Sequence, residues 1–124
     1  MTIFTADQIV AHLVGDYILQ SHWMATEKVK RSIAASVHAI CYTLPFLLIT
    51  SSSAALAVIC WSHFLVDRFR LARFVVWAKN GASGPITATG YPDEVPAWLS
   101  VWLLIIADNT IHVVINGLAI WSFQ

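Results

Sequence analysis

Charge is what this 124-residue sequence has least of: 11% of it is Asp, Glu, Lys or Arg, about half the share of an ordinary soluble domain. A soluble globule this small could not clothe its surface with so few such residues. Seven acidic and seven basic side chains cancel, so the basic surplus that neutralises phosphates is missing and nucleic acid is excluded as a partner. A net charge of zero also favours association, which leaves a homo-oligomer open. Cysteine is scarce too. Cys41 and Cys60 lie in apolar runs without C-x-x-C or zinc-finger spacing, which points to buried free thiols rather than a redox motif or disulfide scaffold. The patterns G-x-S-x-G, H-E-x-x-H and the P-loop are absent, so serine, zincin and nucleoside-triphosphate chemistry have no support. No Lys or Arg precedes the first apolar run, and no cleavable signal peptide is expected.

Apolar surface is what the chain has in abundance. Hydrophobic residues make up 58% and aromatics 12%, with a mean hydropathy of +0.70. That excludes a disordered chain and points to lipid as the solvent. A spanning helix needs about 20 mostly apolar residues, and four runs approach this: 4–22, 33–50, 54–79 and 96–123. Asp7, His12 and Asp16 interrupt the first, and Pro45 predicts a kink in the second. The third follows the Ser51-Ser52-Ser53 break and is apolar first, basic last; the fourth begins at Pro96 just after Asp93, an acceptable helix start. The predicted fold is all-α: one domain, residues 1–124, a bundle of four transmembrane helices. All seven basic residues fall in two places, Lys28, Lys30 and Arg31 after the first run and Arg68, Arg70, Arg73 and Lys79 ending the third. The positive-inside bias then puts loops 23–32 and 80–95 in the cytoplasm and both termini outside. Trp23, Trp77, Trp98 and Trp102 fall near the cytoplasmic ends, where indoles prefer to sit. The Gly- and Pro-rich loop 80–92 reads as a flexible flap.

Ionisable groups are costly inside a span, about 2.5–3.5 kcal/mol for a charged Asp at the centre, yet seven lie in these runs. His12 and Asp16 are on the first, His38 on the second, His63 and Asp67 on the third, Asp108 and His112 on the fourth. Three of the helices carry them as i, i+4 pairs, which puts both side chains of a pair on one face. Counted from the helix ends, all seven can meet in the cytoplasmic half of one bundle. Four imidazoles and three carboxylates suit Zn²⁺, Mn²⁺, Fe²⁺ or Ni²⁺, one ion or two. A proton-linked network and haem ligation by paired histidines are the competing readings. His22 and Asp7 read as solvated, and Glu27, Asp93 and Glu94 as loop charges. Gly15 reads as a place where a neighbouring helix approaches. Gln20, Asn109 and Asn116 read as donors behind the ligands or as helix–helix glue. Arg68, Arg70 and Arg73 read as topology anchors that can also bind a phosphate headgroup.

The run His12-Leu13-Val14-Gly15-Asp16-Tyr17-Ile18-Leu19-Gln20, followed by Trp23-Met24 and Lys28, resembles the opening of the family called domain of unknown function 3307. These are small integral membrane proteins of bacteria and their phages. The resemblance continues through His38 with Tyr42, His63 to Asp67, and Asp108 to His112. It implies a multi-pass protein of the bacterial inner membrane and no established reaction. In layout the pattern is also similar, more distantly, to membrane-embedded metal-dependent hydrolases. The first expectation is therefore a hydrolase whose metal activates water against a lipid-linked or membrane-adjacent ester, phosphoester or amide, with Asp16 or Asp67 as base. The alternatives are a non-catalytic membrane protein that binds metal or conducts protons, in a phage setting a superinfection-exclusion or lysis accessory, and a haem-binding redox protein.

Overall fold

The computed structural model describes residues 2–124 as helices and turns, with no strand among the described residues. Helix α1, Ala6–Leu13, runs into a π-helical turn, Val14–Ile18, closed by a bond from the Leu19 amide to the Val14 carbonyl at 2.9 Å. A short helix α2, His22–Glu27, starts at a cap in which the Ser21 hydroxyl accepts from the Met24 amide. Helix α3, Ser32–Thr43, tightens into a 3₁₀ turn, Leu44–Leu48. The change falls at Pro45, which has no amide to continue the α-helical ladder. Helix α4, Ser53–Phe69, is capped by the Ser52 hydroxyl, which accepts from the Ala55 amide.

The expected single helix over 54–79 is two helices. Arg70 adopts a left-handed conformation with φ 51°, the Leu71 amide bonds back to the Val66 carbonyl at 2.9 Å, and α5 occupies Ala72–Lys79. This is the closing geometry usual for a helix C-terminus, with arginine where glycine is the common choice. Helix α6, Ala97–Ser122, is unbroken over 26 residues, about 39 Å at 1.5 Å per residue. It alone among the described helices is long and apolar enough to cross a membrane; the apolar segment Ser32–Leu48 is shorter. An all-helical chain with one helix of that kind is thus what the structure supports of the expected bundle.

Helix α4 packs between α3 and α6, α1 lies against α6 and the 3₁₀ turn that follows α3, and the π turn lies against α3. The interior is graded from one end to the other. At the end remote from the basic residues, Ala11, Phe46, Ala55, Ile59, Ala119 and Ile120 form an apolar plug. Below it the interior turns polar: His12, Asp16, His38, His63, Asp67, His112 and Asn116 are all buried. The outside is the reverse, with Leu48 93% and Ile18 75% exposed while His38 and Tyr42 are 0%. Gly15 lets α1 approach α3, since a Cβ there would lie 2.7 Å from the Tyr42 carbonyl oxygen. The two basic groups lie together, the Arg68 guanidinium donating to the Val29 carbonyl at 2.8 Å and to the Ser32 hydroxyl at 3.2 Å. Cys41 and Cys60 are free and half-buried.

Candidate metal centre

The i, i+4 spacing delivers its side chains to one place. His63 and Asp67 face inward from the last turns of α4, His38 from α3, and Asp16 from the π turn after α1. A π turn widens the helix by one residue per turn; here consecutive residues Gly15 and Asp16 are both buried, the first against α3 and the second in the cluster. One ligand atom each from Asp16, His38, His63 and Asp67 lies within 4.8 Å of all the others. The His38 Nε2 is 3.2 Å from Asp16 Oδ1, 3.2 Å from Asp67 Oδ2 and 2.9 Å from His63 Nε2. The His63 Nε2 is 3.2 Å from Asp67 Oδ2 and 3.8 Å from Asp16 Oδ1. Ligands about 2.0–2.2 Å from a tetrahedral ion are separated by about 3.3–3.6 Å, and these five separations bracket that range. The four residues can hold a metal ion.

A second group joins Asp16 to Asp108 and His112. The His112 Nε2 bridges Asp67 Oδ1 at 3.1 Å and Asp108 Oδ2 at 3.4 Å. Asp108 is the half-exposed member, and it borders a cavity of about 180 Å³ that Lys28, Asp67, Arg70 and Arg73 also line. The cluster thus opens toward the basic end.

Of the seven expected ligands, His12 stands apart. Asn109 fixes its role. The Asn109 amide nitrogen donates to the Ile105 carbonyl at 2.7 Å and to the Tyr17 hydroxyl at 2.6 Å, so its oxygen is the atom 2.5 Å from His12 Nε2. The proton therefore sits on Nε2, and Nδ1 accepts from the Tyr42 hydroxyl at 2.8 Å. Tyr42 in turn accepts from the Asn116 amide at 2.6 Å. Both nitrogens of His12 are spent, leaving none for an ion. Sequence reasoning missed Tyr42 and Lys28 as site residues. Tyr42, four residues after His38 on the same helix face, also stacks on the His63 ring with centroids 3.6 Å apart; the spacing rule applied to ionisable groups would have found it if extended to hydroxyls. Lys28 places its Nζ 2.6 Å from Asp67 Oδ2 and 3.9 Å from Asp16 Oδ1, a role that its place in a basic loop gives no sign of.

Haem ligation finds no support in how the rings lie. His38 and His63 are 4.8 Å apart between centroids, His63 and His112 4.1 Å, packed on one another rather than on either side of a slot. His22 and Asp7 are exposed, as expected. The loop expected as a free flap is tied to its neighbours: Arg70 donates to the Ala88 carbonyl, Trp77 to that of Gly84, and a Cβ at Gly90 would collide with the Arg73 carbonyl.

Residues 3–86 match the family model described as protein of unknown function DUF3307. The chain belongs to that family. The DUF3307 match takes in Asp16, Lys28, His38, His63 and Asp67 and ends before α6, so Asp108 and His112 lie beyond it. No curated protein and no solved structure matches the chain.

Proposed function

We propose that this DUF3307 chain is a membrane-embedded, metal-dependent hydrolase acting on a lipid-linked or membrane-adjacent ester, phosphoester or amide. The observation that carries the reading is the buried quartet of Asp16, His38, His63 and Asp67, one ligand atom of each lying within 4.8 Å of all the others. Charge supports it as well. Asp16 and Asp67 share the one ammonium, Lys28, that reaches them, and a bound cation offsets the remaining carboxylate charge. A bound ion of this class supplies Lewis acidity and activated water at neutral pH. With Asp16 and Asp67 engaged in the quartet, Asp108 stands at the cavity wall with the buried His112 3.4 Å behind it, a pair able to exchange a proton with a reacting group there.

Membrane embedding with all four long segments in lipid rests on the many large apolar side chains exposed on the outside around a buried polar cluster. The first segment, eight α-helical residues and a five-residue π turn, is about 20 Å long against the ~30 Å of a hydrocarbon core, so it is read as partly inserted alongside α6. Co-location of the two basic groups supports the cytoplasmic assignment of that end in a bacterial inner membrane.

Elemental analysis of detergent-purified protein prepared without chelators tests the metal. One or two equivalents of Zn, Mn, Fe or Ni, with a fall in melting temperature on chelation, are expected; a metal-free protein whose stability ignores added metal sinks the hydrolase. One observation favours a second reading, a metal-free ion-pair network that carries protons: the Lys28 ammonium already lies 2.6 Å from Asp67. Lys28→Met separates the two. A hydrolase centre keeps or gains metal when a competing cation leaves, whereas a network that depends on Lys28 loses stability and gains no metal.

A further inference from the structure

Two spaces flank α6. The cavity of about 180 Å³ at the basic end is smaller than the ~300–1,000 Å³ of ordinary ligand clefts, which suits it to a headgroup rather than a whole ligand. Its cations are unequally engaged. Lys28 is held by Asp67, and one Arg70 nitrogen is held by the Ala88 carbonyl. The Arg73 Nε is buried and has no hydrogen-bond partner, an unmet donor on a fork shaped for phosphate oxygens. The second space is a groove of about 560 Å³ between α1 and α6, with Ile9, Leu13, Trp102, Ile106 and Val113 among its apolar walls. Ile105 lines both spaces.

We infer that the two spaces form one site for a phosphate-bearing amphiphile, its phosphate on Arg70 and Arg73 beside Lys28 and its hydrocarbon chain along the α1–α6 groove. Charge complementarity selects the head: Lys28, Arg70 and Arg73 line the cavity, against Asp67 and Asp108, and Asp67 is already paired with Lys28 while the buried Arg73 Nε has no partner. The groove selects the tail, because its walls are almost wholly apolar. This narrows the substrate class of the proposed hydrolase to phosphate-bearing lipids, and it rests on that reading for the word substrate; the binding itself does not.

The test is calorimetric titration of the full chain, in a bulky neutral detergent, with dodecyl phosphate, inorganic phosphate and dodecanol. Dodecyl phosphate should bind at least about tenfold more tightly than either of the others, a difference of one decade in Kd. Arg70→Gln combined with Arg73→Gln should bring it down to the dodecanol level with metal content unchanged. Val113→Trp, which fills the groove and leaves the basic end alone, should weaken dodecyl phosphate but not inorganic phosphate, and it keeps the test open should the arginine variant fail to fold. Inorganic phosphate binding as tightly as dodecyl phosphate would show a free-anion site and overturn the amphiphile. Equal binding of dodecanol and dodecyl phosphate, or indifference to the arginine changes, would overturn the head site. Metal-free protein that still binds dodecyl phosphate sinks only the hydrolase, and fully metallated protein that ignores dodecyl phosphate sinks only this inference.

Discussion

His12 shows how a residue can obey the pattern of a ligand and serve another purpose. It is buried and one turn from Asp16, yet Tyr42 and Asn109 saturate its ring. The spacing on α1 reports which residues face inward; it does not report what waits for them on α3 and α6. A clear expectation follows. His12→Ala should retain metal, as should exposed His22→Ala, while His38→Ala and Asp67→Ala should each lose it, by elemental analysis of folded protein. Tyr42→Phe removes a hydroxyl that both His12 and Asn116 use. It should lower stability by about 1–3 kcal/mol for each buried polar group left unpaired, read as a drop in melting temperature, with metal still bound.

At the scale of elements, the all-helical character and the shared inward faces of the i, i+4 pairs were legible, the pairs because they depend on periodicity alone. The breaks were not. Nothing in Val14 to Ile18 announces a π turn, which coincides with the close approach of Gly15 to Tyr42 on another helix. Likewise Arg70 carries no breaker signal, yet α4 ends there in a left-handed residue and α5 packs against α6. Gly15→Ala should force α1 from α3 and cost about 1–3 kcal/mol, the usual penalty for overpacking, with metal retention falling because Asp16 moves too. Arg70→Gly should have opposite effects on two measurements: it relieves the left-handed strain, about 1 kcal/mol, raising the melting temperature, while it weakens dodecyl phosphate binding.

For the molecule as a whole, the proposed membrane setting draws on the apolar outside, with Leu48 93% and Ile18 75% exposed, together with the one helix long enough to cross. Reporter fusions at the C-terminus and within 82–90 should report opposite sides of the membrane; agreement between them would remove the four-segment arrangement. Metal retention should also depend on pH in one direction. Protons compete for the imidazoles and carboxylates that an ion needs free, so metal should be lost as the medium is acidified and regained on neutralisation, checked by dialysis and elemental analysis.

The apolar plug has a consequence of its own. Ala55, Ile59, Phe46 and Ile120 close the bundle at the end away from the arginines, whereas the polar cluster opens beside Lys28 and Asp108. A molecule built in this way is vectorial. On the proposed orientation only the cytoplasmic leaflet presents headgroups to the centre, and an impermeant chelator should strip metal from inverted vesicles while leaving right-side-out vesicles loaded.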